Sequence, residues 1–389
     1  NSLDNSPNSF KLWFNCSIIS GCFSIPSSKE IYSSNFINSS FFIKKLEIKF
    51  TVKSNYNIWI AESYSCQNDI IQRLKNSTLS PHLTIFCSHS QQRPELKRCA
   101  DHFFEQPRVE NSAAWLLAQC QAHSIDLLFC GKHGHFIEQY REDFRRHDIQ
   151  IVTGAMNVEA HDNINNKFLF GQICESLSLP NIPALKVSQV AELKQSIDQF
   201  QNQYGAICAK PVYGVYGEGF VQLCNEVSYF QKFQTTTLCN TQQFIEAYAQ
   251  LEPPIEYLIM PFLQGQECSV DIACSKGKIL ALVTRIKFQF YQECYLEHPC
   301  HAICEILVEH FQCDGLINIQ FKQDDQGVWH ILEINPRPAG GFAYTQHTGI
   351  NLIAELMAEK LSLPLERANP TNSVQVLTTI QSLKMDASH

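Results

Sequence analysis

The sequence predicts a mixed chain, an α/β half followed by an α+β half. Three observations carry this. Between residues 55 and 155, short apolar runs alternate with amphipathic stretches of helical period, the pattern of a parallel sheet with helices on both faces. Beyond residue 255 the apolar runs come in pairs joined by turn residues, as antiparallel hairpins do. A hydrophobic content of 44% over 389 residues is enough to fill the cores of two or three domains.

Residues 1–51 stand apart. They are crowded with Asn, Ser, Phe, Ile and Lys, show neither period, and precede a chain whose first methionine is Met156. They are expected to be a disordered tail or a segment foreign to the native protein, translated ahead of a non-Met start at Val52. A third reading takes LWFNCSIISGCF, after Lys11, as the core of a signal peptide. In residues 52–156, strands are expected at 57–63, 83–89, 125–133 and 149–155, with helices over QNDIIQRLKN, SAAWLLAQCQAHS and HFIEQYREDFRRH. No GxGxxG follows the first strand, which argues against a dinucleotide site there.

The second half, residues 157–389, has a different rhythm. Helices are expected over about 162–177 and 189–203, the second with Val190, Leu193, Ile197 and Phe200 on one face. The strands AICAKP and FVQLC flank a glycine-rich loop, and a helical stretch over about 226–250 leads to strand IEYLIMPFL. ECSVDIACSKG and KILALVTRIK form a hairpin around Lys276-Gly277, and a helix near 299–311 precedes a hairpin of LINIQF with VWHILEIN.

Charge and cysteine usage narrow the function classes. With Lys+Arg 30 against Asp+Glu 38, the chain is mildly acidic, which argues against nucleic acid or an anionic membrane surface as a partner. No apolar run approaches the ~18 residues of a spanning helix. The 17 cysteines include no CxxC pair. They are expected to be free, mostly buried thiols in a reducing cytoplasm, and no zinc site with close paired ligands is visible. Cys300 and Cys304 are spaced i, i+4, as many core pairs are.

Three constellations carry chemistry. The first is HILEINPRPAGGF, residues 330–342. Side chains alternate along a strand, so Glu333 and Asn335 share one face about 7 Å apart, while Leu332 and Ile334 share the other and pack on the core. If the hairpin loop has an even number of residues, Gln320 joins Glu333 on the polar face. A carboxylate and two carboxamides are donors that Mg²⁺ accepts, and Arg337 is placed to fork onto a phosphate or carboxylate. The second is AKPVYGVYGEGF, residues 209–220, in which Lys210 ends an apolar strand ahead of Gly214, Gly217 and Gly219. Glycine frees backbone N–H groups to wrap phosphate, with the lysine as a point charge. It is neither a Walker A loop nor a kinase loop. The third is IEYLIMPFLQGQECSVD, residues 255–271, an apolar strand that ends at Pro261 and becomes a linker able to hold a flat base, with Glu267 accepting ribose hydroxyls. RIKFQFYQECYLEHP, residues 285–299, is expected to line a substrate pocket, with Arg285 and Lys287 as candidates for a carboxylate or phosphate.

The order Lys, Gly-rich loop, linker and Glu, then Gln and Glu-x-Asn-Pro-Arg resembles the ATP-grasp superfamily over about residues 52–360, and within it the branch of carbamoyl phosphate synthetase and carboxylate–amine ligases. EINPRPAGG after NIQF is the most specific part. The resemblance implies a Rossmann-like pre-ATP-grasp domain over 52–156, then a two-subdomain ATP-grasp fold over 157–389 with its lid at about 188–264. It implies ATP and Mg²⁺ as cofactors, with two metal ions and Mn²⁺ as an allowed substitute. By motif match, Lys210 would contact the α-phosphate or the adenine side, and Lys167 would lie near the phosphates. Tyr213, Gly214, Gly217, Glu218 and Gly219 would cover the triphosphate. Met260, Pro261, Phe262 and Leu263 would hold adenine, and Glu267 the ribose. Gln320, Glu333 and Asn335 would bind metal, and Arg337 with Lys210 would serve catalysis. Met260 stands where relatives are often acidic, and Gln320 matches the carbamoyl phosphate synthetase type.

The implied reaction joins a small-molecule carboxylate to an amine, or less often a thiol, through an acyl-phosphate. The expected protein is a cytoplasmic, ADP-forming carbon–nitrogen ligase, with a homodimer as the assembly common among similar enzymes. Two other readings keep the fold: a phosphotransferase or carboxylase subunit, and a non-catalytic ATP-binding module.

Overall fold

A computed structural model describes residues 53–63, 65–214, 217–228, 230–231 and 237–379. The expectations for residues 1–51, and for positions 215 and 216 of the glycine loop, lie outside the described residues.

The apolar runs of the first half become strands β1 (Tyr56–Ile60), β2 (Leu83–His89), β3 (His102–Glu105), β4 (Leu127–Phe129) and β5 (Gln150–Val152). All pair in parallel, in the order β3-β2-β1-β4-β5. Helices α1 (Gln67–Lys75), α2 (Pro94–Cys99), α3 (Val109–Ala122), α4 (Gly134–Glu138) and α5 (Arg141–Arg145) connect them. Alternation along β1 explains why helices cover both faces. Ile58 and Ile60 pack with Ile70, Ile71 and Leu74 of α1, while Trp59 packs with Leu116 and Cys120 of α3. The edge strand β3 was not visible in the sequence, because its HFFE has polar ends and only partly buried phenylalanines.

Next come β6 (Gly154–Ala155), α6 (Val158–Asn165) and α7 (Lys167–Ser176). One helix is expected here; two form, because Asn166 leaves the helical region and its side chain accepts hydrogen bonds from the Phe168 and Leu169 amides. This break sets Lys167 at the first position of α7. A second sheet is built from β7 (Leu185–Val187), β8 (Ile207–Pro211), β9 (Val221–Cys224), β10 (Leu238–Asn240) and β11 (Tyr257–Pro261), in the order β10-β9-β8-β11-β7. The 226–250 stretch, expected to be helical, thus contains β10 as well as α9 (Thr241–Tyr248). Helix α8 (Val190–Tyr204) lays Leu193, Ile197 and Phe200 against Ile207, Ala209 and Ile259 of that sheet.

The third sheet holds β12 (Glu267–Ser275), β13 (Lys278–Lys287), β14 (Gln292–Tyr295), β15 (Cys313–Gln323), β16 (Trp329–Asn335) and β17 (Ser373–Val376), in the order β16-β15-β12-β13-β14-β17, with β6 paired to β15. Helix α10 (His301–His310) packs on one face and α11 (Leu352–Leu361) on the other. Along β12, Cys268, Val270, Ile272 and Cys274 enter the core beneath α10. Residues Ile317, Ile319 and Phe321 of β15 do the same, which turns Asn318, Gln320 and Lys322 to the opposite face.

The hairpin corrects one expectation. Gln323 pairs with Trp329, so the loop is Asp324–Val328, five residues, an odd number. That register alone would put Glu333 on the face opposite Gln320. A β-bulge restores the match: Phe321 faces Ile331 and Gln320 faces Glu333, so Leu332 has no partner on β15. The bulge therefore turns Leu332 out of the core that Ile331 and Ile334 share, and Leu332 lines a cavity instead. No helix among the described residues is long and apolar enough to cross a membrane.

Candidate functional site

A cavity of about 520 Å³, within the range of small-molecule sites, opens between the second and third sheets. Its floor is the polar face of the late hairpin, with Asn318, Gln320 and Lys322 of β15 beside Glu333 and Asn335 of β16. The register makes this convergence firm, because Gln320 is directly opposite Glu333 and Asn318 opposite Asn335. Asn318 was not singled out from the sequence, although the alternation that places Gln320 on this face places it there too.

A file of hydrogen bonds extends sideways from the floor across the same face of the sheet. Gln320 Nε2 donates to Asn318 Oδ1 at 3.3 Å, and Asn318 Nδ2 donates to Asp271 Oδ1 at 3.1 Å. Asp271 Oδ2 accepts from Arg285 Nε, and Arg285 Nη1 donates to Gln292 at 2.8 Å. Arg285 is 6% exposed, so this guanidinium is an internal brace rather than a surface candidate for substrate. Lys287 is exposed at the end of β13 and lines neither this cavity nor the recess described below.

The cavity's other wall comes from the second sheet. Lys210, at the end of β8, reaches across and its Nζ lies 2.7 Å from Glu333 Oε2. Glu333 Oε1 accepts from Asn335 Nδ2 at 3.2 Å. Burial works to raise the Glu333 pKa, but the Lys210 charge and hydrogen bond, the Lys167 charge and the Asn335 bond outweigh it, and the carboxyl is held below its ordinary value. Lys167 Nζ donates to the Gly214 carbonyl at 2.7 Å. Burial, then the nearby Lys210 charge, bring Lys167 down to about 8 against the opposing pull of Glu333.

Part of the cavity lining is apolar. Met260, Pro261, Phe262 and Leu263 form it with Cys208, Phe220 and Leu332. Strand β11 keeps pairing as far as Pro261, opposite Ile207, and the next amide, Phe262 N–H, donates to Ala206 O at 2.9 Å. Glu267 stands at the mouth, its carboxylate 3.6 Å from the ammonium of Lys322.

Gly217 lines this cavity and Gly214 lines an adjoining recess. The other loop candidates lie elsewhere. The Tyr213 hydroxyl accepts from Asn166 Nδ2 at 2.8 Å, and Glu218 is exposed and lines neither space. Gly219 is a packing glycine: its φ is +73°, and a Cβ there would sit 2.6 Å from Pro211 Cγ.

The recess, about 120 Å³, is polar, and Lys132, His135, Lys167, Glu333, Asn335 and Arg337 all reach it. Gly131 and Lys132 follow β4, which neighbours β1 where the strand order of the parallel sheet reverses, the crevice where open α/β sheets bind ligands. Gly154 brings this sheet against the hairpin end, since a Cβ on it would overlap the Pro336 carbonyl oxygen. Lys132 and His135 carried no local motif; only the meeting of the sheets brings them to Arg337.

The three sheets have the architecture of the ATP-grasp fold. A family model described as ATP-grasp in the biosynthetic pathway with Ter operon matches residues 254–383, the stretch that carries the linker, Glu267 and the hairpin. No curated protein matches the chain in sequence. Among solved structures, the chain is similar to N5-carboxyaminoimidazole synthetase from Staphylococcus aureus at 13% identity, with a TM-score of 0.57 over 81% of this chain and 80% of that one. It is similar to a biotin carboxylase–β,γ-ATP complex from Campylobacter jejuni at 15% identity, with a TM-score of 0.59 over 80% and 72% of the two chains. It is also similar to L-amino acid ligase from Bacillus licheniformis at 12% identity, with a TM-score of 0.55 over 85% and 82%. At such identities the likeness is one of fold, and it agrees with the resemblance that the hairpin motif carries.

Proposed function

We propose that this chain is an ATP-dependent, ADP-forming ligase that joins a small carboxylate to an amine through an acyl-phosphate. The observation that carries this reading is the cross-strand set of Gln320, Glu333 and Asn335, facing a partly apolar cavity and flanked by Lys210, Lys167 and Arg337. Adenine would lie between Met260–Leu263 and Leu332, with Glu267 at the ribose and the phosphates over the hairpin. The solved relatives named as synthetase, carboxylase and ligase support the class of reaction.

The donor set fits Mg²⁺, or Mn²⁺ in its place. The three side chains offer hard oxygen atoms on one face, and the carboxylate is held ionised beside a cation that already pairs with it at 2.7 Å. When bound, the ion supplies charge neutralisation at the phosphate oxygens. Glu333 is the one carboxylate in this set, so a second ion would depend on phosphate oxygens for its charge.

The chain's own residues do the rest by position. Lys132, His135 and Arg337 would seat the substrate carboxylate in the polar recess, in line with the γ-phosphate over Glu333. A carboxylate oxygen attacks the γ-phosphorus, the bond to the bridging oxygen breaks, and ADP leaves. Lys210, Lys167 and Arg337 offset the negative charge of that transfer. The amine nitrogen then attacks the acyl carbon, phosphate departs, and the amine proton passes to solvent. The glycine loop would shield the acyl-phosphate from water in the meantime.

An ADP-release screen of carboxylate and amine libraries tests the reading. ADP should form only when both substrates are present, and Glu333→Gln should lower turnover by roughly 10²–10³-fold with an unchanged circular dichroism spectrum. Phosphorylated carboxylate released in equal amount without an amine would favour a phosphotransferase. ATP binding without turnover on any pair would favour a binding module.

A further inference from the structure

We propose that Cys268, His298 and Cys300 form a second metal site, for a thiophilic divalent ion of the Zn²⁺ class, on the face of the third sheet opposite the nucleotide cavity. The ligand atoms of the three residues all lie within 4.8 Å of one another. The two sulfurs are 4.0 Å apart. Two thiolates bound 2.3 Å from a tetrahedral zinc stand about 3.8 Å apart, so the pair is already near the spacing the ion needs. A disulfide would require the sulfurs to close to about 2.05 Å. Two sulfurs and an imidazole nitrogen are soft donors, which select Zn²⁺ over the Mg²⁺ that the hairpin suits.

Strand and helix geometry bring the ligands together. Alternation along β12 sends Glu267 to the cavity and Cys268 to the opposite face, where it is 1% exposed. Cys300, fully buried, lies just before α10, and its amide donates to His298 Nδ1 at 3.3 Å. That bond holds the imidazole beside the Cys300 backbone, within reach of both thiols. The His298 ring also rests edge-on against Trp329, the first residue of β16, with centroids 5.1 Å apart. The half-buried imidazole gives the ion a way in from solvent. Three protein ligands leave a fourth position for water.

An ion here touches no reacting atom. It would clip β12, the strand that carries Glu267, to the start of α10. Sequence spacing concealed the site, because 30 residues separate Cys268 from His298, and His298-x-Cys300 is not a CxxC pair. The proposal departs at this one place from the expectation of cysteines without a zinc site.

The test uses the purified full chain. Elemental analysis should find one zinc per chain, and Co²⁺ exchange should give a thiolate-to-cobalt charge-transfer band. Cys300→Ser should abolish the band. His298→Ala, at a half-buried position that leaves the core intact, should weaken zinc binding by at least about tenfold in a chelator competition. Cys99→Ser, at a half-buried thiol elsewhere, should change neither readout. Wild-type protein without stoichiometric zinc or without the band overturns the proposal. So does a His298→Ala variant that holds zinc as tightly as wild type, or a Cys268–Cys300 disulfide found by mass spectrometry in freshly purified protein.

Discussion

The two walls of the cavity proposed for nucleotide are built in opposite ways. The β15–β16 wall is a registered hairpin, with Gln320 against Glu333 and a file of hydrogen bonds running back to the buried Arg285. The β8–β9 wall ends in glycines, and Gly214, Gly217 and Gly219 all have positive φ. An ion pair, Lys210 to Glu333, crosses between them. The difference teaches where preorganisation lies. The donors proposed for metal are fixed by strand pairing before any ligand arrives, whereas the wall proposed to cover phosphate offers backbone and one lysine.

If that division is right, cutting the crossing pair has the largest effect. Lys210→Ala should reduce kcat/KM by roughly 10²–10³-fold. It should also lower the thermal midpoint, because Glu333 then keeps a mostly buried charge with one partner fewer. A variant with normal kinetics would show that the pair belongs to packing alone.

Lys167 sharpens the comparison through pH. Its pKa of about 8 lies below the lysine value, because burial and Lys210 disfavour the charged form. A triphosphate favours the ammonium, so binding takes up a proton when pH exceeds about 8. Nucleotide affinity should thus be level below that pH and fall by roughly tenfold per unit above it, until the hairpin's own cations dominate. Lys167→Met should flatten this part of the profile. The shift acts on folding with the opposite sign: the unfolded lysine holds its proton longer, so stability should rise from about pH 8 towards the ordinary lysine value of 10.5.

Leu332 tests the bulge with the smallest expected change. As a cavity residue, Leu332→Ala should weaken nucleotide binding by about tenfold and leave the thermal midpoint nearly unchanged. A large drop in midpoint with normal affinity would return Leu332 to the core.

Leu332 also shows where sequence reasoning stops. The period of two placed Glu333 and Asn335 on one face, since alternation is local, but Gln320 joins them only across the loop. The supporting condition, an even loop, was wrong, and a bulge with no residue signature compensated for it. The parallel sheet was readable because its strands are continuous apolar runs, whereas β3 at its edge was not. Arg285 resembled a charged strand end because its partner, Asp271, lies 14 residues away on a neighbouring strand. Lys132 and His135 joined the site only through the Gly154–Pro336 contact. Each of these depends on pairing between distant segments, which periodicity does not encode.

The most direct test of the hairpin as the metal wall is calorimetric titration of a non-hydrolysable ATP analogue with and without Mg²⁺. Mg²⁺ should tighten wild-type binding by at least about tenfold, and Glu333→Gln should lose that gain while still binding ADP without metal. Equal Mg²⁺ enhancement in wild type and Glu333→Gln would contradict it.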